Sequence, residues 1–220
     1  MKSYRIVRLA ALHSLDALDL LEKKYIGFSE KSYAEQRECL FKNRVLYSDS
    51  FSRSLRSLGH DAIEIVWDFE LLQKQWSREN MVKTTTGDWT FDVLMSQIEQ
   101  LRPDIVYFQG TELASPGRFQ GTNNKKNLPT VLKEEFSFIK LIAMYSGFPS
   151  RGSRIRDVDI LFSGPPFVLE HYRRMGVDAV LCYHAFDSEL LGELDTSNRQ
   201  YECTFAGSAR PPENRYWALR

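Results

Sequence analysis

The sequence has few cysteines, no net charge and no long hydrophobic run, and these absences exclude several classes of protein. Its three cysteines are too few and too widely spaced for a disulfide framework or a zinc site; they are Cys39, Cys182 and Cys203. The 29 Lys and Arg residues balance 29 Asp and Glu residues, so the net charge does not indicate nucleic-acid binding. We therefore expect reduced thiols, no bound metal and no nucleic-acid partner.

The chain also lacks the signals of a membrane or secreted protein. No segment is long and apolar enough to span a bilayer. In the opening residues MKSYRIVRLAAL, Arg8 interrupts the apolar stretch, and no small-residue cleavage site follows. The sequence therefore predicts a cytoplasmic protein with no membrane span.

Several well-known catalytic and nucleotide-binding motifs are missing. Residues 5–14, which contain the first predicted strand, include no glycine, so neither G-x-G-x-x-G nor a P-loop is present there. No acidic residue directly follows that strand, as a receiver-type phosphoacceptor domain would require, and no G-x-S-x-G is found. Dinucleotide, P-loop, receiver and serine-hydrolase functions are therefore excluded.

What the sequence does contain is a regular alternation of short apolar runs and amphipathic helical patterns. Predicted strands cover residues 6–12, 61–68, 104–110, 138–147, 157–164 and 178–187. Helices are predicted to end at Gly59, to cover residues 91–101, to begin near Pro129 and to run from Pro165 to Gly176. This order predicts an α/β fold with a Rossmann-like, doubly wound, mainly parallel sheet.

The last part of the chain has a different pattern. Residues 195–200 are polar, residues 201–208 form a predicted strand, and Pro211 precedes a helical start that reaches only to Arg220. We therefore interpret residues 1–195 as one lobe and residues 196–220 as a linker and the start of a second lobe. We expect the native protein to continue past Arg220.

Short motifs in the second half of the chain occur in an order that resembles a known family. They are DIVYFQG at 104–110, DVDILFSGPPFVLEHYRRMGVDAVLCYHAFD at 157–187 and YECTFAGSARPPENRYWALR at 201–220. Residues 47–65 and 72–76 add to the likeness. In these segments the chain resembles the CgeB-like, spore-maturation type glycosyltransferases.

The resemblance implies a GT-B fold, in which two Rossmann-like lobes face each other, and it makes this chain the amino-terminal, acceptor-side lobe. The implied reaction moves a sugar from a nucleotide-sugar donor to a hydroxyl of a glycan, protein or small molecule, without a cofactor or an essential metal. A carboxy-terminal lobe would bind the donor, so the isolated chain is expected to lack full activity. The residues leave one alternative open, a non-catalytic Rossmann-like module for ligand binding or protein interaction.

Candidate site residues follow the predicted strands, because open α/β sheets bind ligands past the carboxyl ends of their strands. His13 follows the first strand, where related GT-B enzymes carry the histidine that deprotonates the acceptor. Glu112 is the second catalytic candidate, and Gly110 and Thr111 are candidates for substrate contact, since glycine lets a ligand approach the backbone. The structural alternative for His13 is a surface histidine without a chemical role. For Glu112 it is a glutamate that stabilises a helix N-terminus through the helix dipole.

Later strand ends supply the remaining substrate-binding candidates, Ser163, Gly164, His184 and Asp187. The alternative for Ser163 and Gly164 is an ordinary turn from strand to helix. The alternative for His184 is a histidine packed in an apolar strand, and Asp187 could instead cap a helix over residues 188–191.

The resemblance also implies contacts with the donor diphosphate at the start of the second lobe. The implied residues are Gly207, Ser208, Arg210 and Arg215. The alternative is a strand-end turn with solvated arginines.

Overall fold

The computed structural model describes residues 2–12, 16–44, 47–114, 126–149, 155–185 and 187–192. Within them, six strands form one sheet: β1 (Arg5–Ala10), β2 (Asp61–Val66), β3 (Ile105–Gln109), β4 (Leu141–Tyr145), β5 (Ile160–Ser163) and β6 (Ala179–Leu181). The strand order is β2-β1-β3-β4-β5-β6, and every neighbouring pair is parallel. The predicted Rossmann-like α/β fold with a parallel sheet is therefore confirmed.

Seven α-helices accompany the sheet in the described part of the chain: α1 (Ala17–Lys24), α2 (Tyr33–Lys42), α3 (Ser50–Ser57), α4 (Glu70–Glu79), α5 (Trp89–Leu101), α6 (Leu128–Glu135) and α7 (Pro166–Arg174). Local sequence sets several of their starts. The Asn127 side chain accepts a hydrogen bond from the Thr130 N–H at 2.9 Å, and Pro129 lies in the first turn of α6, where no N–H is needed. None of the described helices is long and apolar enough to cross a membrane.

One face of the sheet is covered by α5, α6 and α7. Side chains from alternate strand positions, such as Val106 and Phe108, meet Ile98 of α5, Leu132 of α6 and Val168 of α7 in one buried cluster. Burial of these apolar side chains supplies the main favourable free energy of folding on this face.

The opposite face is covered by helices from the first half of the chain. Ala10 and Val66, which alternate with the residues of the first cluster, pack with Leu21 of α1, Leu40 of α2 and Leu72 of α4 in a second buried cluster. Helix α3 lies on the same face, where the Phe51 ring stacks on the Tyr107 ring of β3 with centroids 4.6 Å apart. Helices on both faces make the sheet doubly wound.

The six predicted strands all form, but the later ones are shorter than predicted. Asp157 has a left-handed backbone conformation, with φ of 61°, so β5 begins only at Ile160. Strand β6 ends at Leu181 instead of continuing to residue 187, because its neighbour β5 ends at Ser163, just before Gly164 and two prolines. Between β1 and β2 the described residues contain three α-helices, α1 to α3, whereas the sequence predicted only the helix that ends near Gly59.

The chain divides into two compact units, Met1–His184 and Ala185–Arg220. The whole sheet belongs to the first unit. In the second unit, residues Ser188–Gly192 form a 3₁₀ helix. The predicted boundary at residue 195 lies outside the described residues and stays a prediction.

Candidate functional site

The strand order creates a switch point between β1 and β3. The chain leaves β1 through α1, α2 and α3, which pack on one face of the sheet, and reaches α6 on the other face after β3. Because these connections leave on opposite faces, the carboxyl ends of β1 and β3 mark the usual ligand position in open α/β sheets. The two strands are paired through Leu9 and Phe108, close to their carboxyl ends.

Gly110 and Glu112 lie directly after β3, at this switch point. Gly110 has φ of 124°, a conformation that side-chain-bearing residues rarely adopt, and the Glu112 carboxylate occupies the place where a Cβ of residue 110 would lie. Leu113 and Ala114 are buried, and the Ala114 N–H donates to the Thr111 carbonyl at 3.1 Å, which holds the turn in place. The turn therefore presents an exposed carboxylate at the switch point.

His13, the candidate base, lies outside the described residues. The chain is described up to Leu12, which is buried and whose N–H donates to the Asp68 carboxylate at 2.6 Å. This bond ties the segment after β1 to the segment after β2. His13 is the third residue after the end of β1, so its candidacy depends on the sequence and on the position of the switch point.

Of the candidates at the later strand ends, Gly164 and His184 come together and Ser163 does not reach the surface. The Ser163 side chain is completely buried, and its hydroxyl has no hydrogen-bond partner among the described residues. His184 is exposed, and its Nε2 lies 2.7 Å from the Tyr145 hydroxyl oxygen. A Cβ on Gly164 would lie 3.7 Å from the same hydroxyl oxygen. His184 is therefore not the packed histidine of an apolar strand.

Asp187 belongs to the second unit and serves as a cap there. Its carboxylate accepts a hydrogen bond from the Glu189 N–H at 3.3 Å, and its carbonyl accepts one from the Leu190 N–H at 3.1 Å. This agrees with the structural alternative for Asp187. The donor-diphosphate candidates, Gly207, Ser208, Arg210 and Arg215, lie outside the described residues.

The two groups of candidates in the first unit are continuous along the carboxyl edge of the sheet. Gln109, which precedes Gly110, is the register partner of Tyr145, which contacts His184. Neighbouring strands lie about 5 Å apart in the hydrogen-bonding direction. Glu112 follows β3 and Tyr145 ends β4, so these two residues are carried by adjacent strands, while His184 follows β6.

A buried ion pair, which the sequence analysis missed, lies below this edge. Arg8 of β1 and Glu64 of β2 are register partners, and a guanidinium nitrogen of Arg8 lies 3.1 Å from a Glu64 carboxylate oxygen. The Glu64 carboxylate also accepts hydrogen bonds from the Tyr47 hydroxyl and, at 3.2 Å, from the Ser52 N–H in the first turn of α3. Burial and the neighbouring Glu64 charge raise the pKa of Tyr47 far above its ordinary value.

Aromatic rings extend this arrangement toward β5. The Arg8 guanidinium lies 5.2 Å from the Phe51 ring centroid, and the Tyr107 ring lies between Phe51 and Phe162, with its centroid 6.5 Å from that of Phe162. Burial raises the pKa of Tyr107 to about 12, and Cys182 and Tyr145 also raise it while Arg8 lowers it. Tyr107 therefore stays protonated near neutral pH.

Among the described residues, no cluster of three or more His, Cys, Asp or Glu side chains could hold a metal ion. Comparison of the chain with models of protein families, with curated proteins and with solved structures gives no match. The site must therefore be interpreted from its own geometry and chemistry.

Proposed function

We propose that the chain is the acceptor-side lobe of a GT-B glycosyltransferase, which transfers a sugar from a nucleotide-sugar donor to a hydroxyl acceptor. The observation that carries the proposal is the exposed Glu112 carboxylate at the β1/β3 switch point, on the same edge where the chain leads into His13. A side chain that can accept a proton, placed where open α/β sheets bind ligands, is what activation of a hydroxyl requires. The motifs shared with CgeB-like glycosyltransferases support the choice of reaction.

In this proposal His13 removes the proton of the acceptor hydroxyl as its oxygen attacks the anomeric carbon of the donor sugar. Glu112 accepts hydrogen bonds from the acceptor or assists the base, and Gly110 allows the acceptor to approach the backbone. A carboxy-terminal lobe, which starts within residues 196–220 and includes Gly207 and Arg215, stabilises the departing diphosphate through backbone N–H groups and guanidinium. We propose a cytoplasmic location, where nucleotide-sugars are available.

The test uses the full native gene product and measures nucleoside diphosphate release. The donors are UDP-glucose, UDP-N-acetylglucosamine, GDP-mannose and dTDP-rhamnose, each with a mixture of methyl glycosides as acceptors. We expect turnover with one donor and a loss of about 10²- to 10⁴-fold in kcat for His13→Ala. Glu112→Gln should also lower kcat.

Glu170→Gln and His60→Gln serve as matched controls, because Glu170 is an exposed carboxylate on α7 and His60 lies just before β2, at the amino end of the sheet. Both controls should keep full turnover. If no donor is consumed but one of the four nucleotide-sugars raises the melting temperature of the protein, the chain is a non-catalytic binding module and the proposal is wrong.

A further inference from the structure

A tyrosine hydroxyl and a histidine ring meet at the carboxyl ends of β4 and β6. Tyr145 is the last residue of β4 and His184 is the third residue after β6. The Tyr145 hydroxyl oxygen and His184 Nε2 are 2.7 Å apart, and the ring centroids are 4.8 Å apart. Tyrosine hydroxyls and neutral imidazoles both donate and accept hydrogen bonds, so the pair can serve a ligand that does the same.

Gly164 lies beside this pair and presents no side chain to it. A Cβ at that position would lie 3.7 Å from the Tyr145 hydroxyl oxygen, 3.7 Å from the Cys182 carbonyl oxygen and 3.9 Å from Cδ1 of the Tyr183 ring. These are ordinary contact distances, so a methyl group would fill this space without a clash and would touch all three groups. The Cys182 N–H donates to the Ser163 carbonyl at 2.9 Å, which fixes the chain on the other side of the space.

The ring of Tyr183 provides an exposed aromatic surface next to the pair. Tyr183 is 70% exposed, although a tyrosine ring is large and mostly apolar. Val180 and Leu181 of β6 are exposed as well. Ligand sites typically combine such apolar and aromatic surface with a few polar groups that fix orientation.

The neighbouring start of α7 disfavours a phosphate as the ligand. Residues 165 and 166 are both proline, so the first positions of this helix lack the N–H groups that bind anions at helix ends. The Val168 N–H is already donated to the Pro165 carbonyl at 3.1 Å. The groups beside Gly164 suit a neutral ligand that both donates and accepts hydrogen bonds. They are the Tyr145 hydroxyl, the His184 imidazole and the Cys182 carbonyl.

We propose that Tyr145, His184, Gly164 and Tyr183 form a binding site for a saccharide ring. One C–H face of the ring packs against Tyr183, and its hydroxyls exchange hydrogen bonds with Tyr145, His184 and the Cys182 carbonyl. The saccharide belongs to the acceptor, and this point alone rests on the proposed glycosyltransferase function. The assignment adds Tyr145 and Tyr183, which the sequence did not indicate, to His184 and Gly164.

The test measures saccharide binding to the full chain without any donor, by saturation-transfer NMR. The probes are the methyl glycosides of β-D-glucose, β-D-galactose, α-D-mannose and N-acetyl-β-D-glucosamine, with uridine as a nucleoside comparison that lacks a pyranose ring. We expect one or more glycosides to bind, and Tyr145→Phe and His184→Gln to weaken binding about three- to tenfold, the effect of one lost hydrogen bond. Gly164→Ala should also weaken binding, because its methyl group fills the space at ordinary contact distance.

The chain offers a matched control at the other end of the sheet. Tyr4 and His60, just before β1 and β2, form another ring pair with centroids 5.9 Å apart. Tyr4→Phe and His60→Gln should leave glycoside binding unchanged, and melting temperatures check that every variant is folded. Equal binding by all variants and controls, no saturation transfer to any glycoside, or binding of uridine alone would each overturn the assignment.

Failure of the saccharide site can be distinguished from failure of the proposed glycosyltransferase function. If the full protein releases nucleoside diphosphate but Tyr145→Phe leaves glycoside binding unchanged in the NMR experiment, the saccharide site is wrong and the glycosyltransferase stands. If no donor is consumed but glycosides bind and Tyr145→Phe weakens their binding, the saccharide site stands and the glycosyltransferase is wrong.

Discussion

Replacing Glu64 with glutamine should destabilise the fold strongly, although it only replaces one carboxylate oxygen with an amide NH₂ group. The Glu64 side chain is 0% exposed and the Arg8 side chain 13% exposed, so their charges are neutralised mainly by each other. Removing one partner of a buried ion pair typically costs about 3–5 kcal/mol, because the remaining charge is left buried without a counter-charge. We expect about 3 kcal/mol for Glu64→Gln, at the lower end, since water retains some access to Arg8.

The same two strands carry a matched control. Arg5 and Asp61 are register partners in β1 and β2, like Arg8 and Glu64, with a nitrogen–oxygen distance of 2.6 Å, but both side chains are 47% exposed. Exposed ion pairs contribute about 0–1 kcal/mol. Asp61→Asn should therefore lower the free energy of unfolding by less than about 1 kcal/mol.

Urea denaturation of the full chain measures both effects, from the midpoint and the slope of each transition. A second substitution, Arg8→Met, tests the reason for the loss. In the Glu64→Gln background it removes the uncompensated charge, so the double variant should lose less than the sum of the two single losses, by about 2 kcal/mol. Equal midpoint shifts for Glu64→Gln and Asp61→Asn, or additive losses in the double variant, would refute the argument from burial.

Three further predictions concern other parts of the fold. Burial raises the pKa of Tyr107 from 10.0 to about 12, so its contribution to stability is complete below pH 10 and is lost as pH rises toward 12. Tyr107→Phe should therefore flatten the fall in melting temperature between these pH values, and an unchanged fall would contradict the assigned pKa. Asn127→Ala should cost about 1 kcal/mol in urea denaturation, because the Thr130 N–H loses its cap, and a loss near zero would contradict that role. Tyr172→Phe should cost about 0.5–1.5 kcal/mol, because the buried hydroxyl donates to the Phe148 carbonyl at 3.2 Å, and a neutral result would show that this bond adds nothing net.

The sheet could be predicted from the sequence because its signals are local. An apolar run such as 104–110 after a helix that ends near Pro103 indicates a buried parallel strand without any knowledge of its neighbours. The strand ends were harder to predict, because they depend on partners. Residues 182–187 continue the apolar pattern of β6, but the strand stops at Leu181, where β5 no longer offers a partner.

The chemistry of individual side chains could be predicted less well, since it depends on contacts between distant residues. In the predicted strand over residues 61–68, Glu64 looks like a solvent-facing residue between Ile63 and Ile65. Only the pairing of β1 with β2 brings Arg8 to it, 56 positions away in the chain. Tyr145 was missed as a partner of His184 for the same reason, because the two meet only when β4 and β6 flank β5.

The buried pair and the exposed edge are connected through the same strands. Its carboxylate holds the Ser52 N–H of α3 and the Tyr47 hydroxyl on one side and Arg8 of β1 on the other. Helix α3 in turn contacts β3 through the stacked rings of Phe51 and Tyr107. One carboxylate therefore contacts β1 directly and β3 through α3, and its loss should loosen the edge that carries Glu112 as well as the core beneath it.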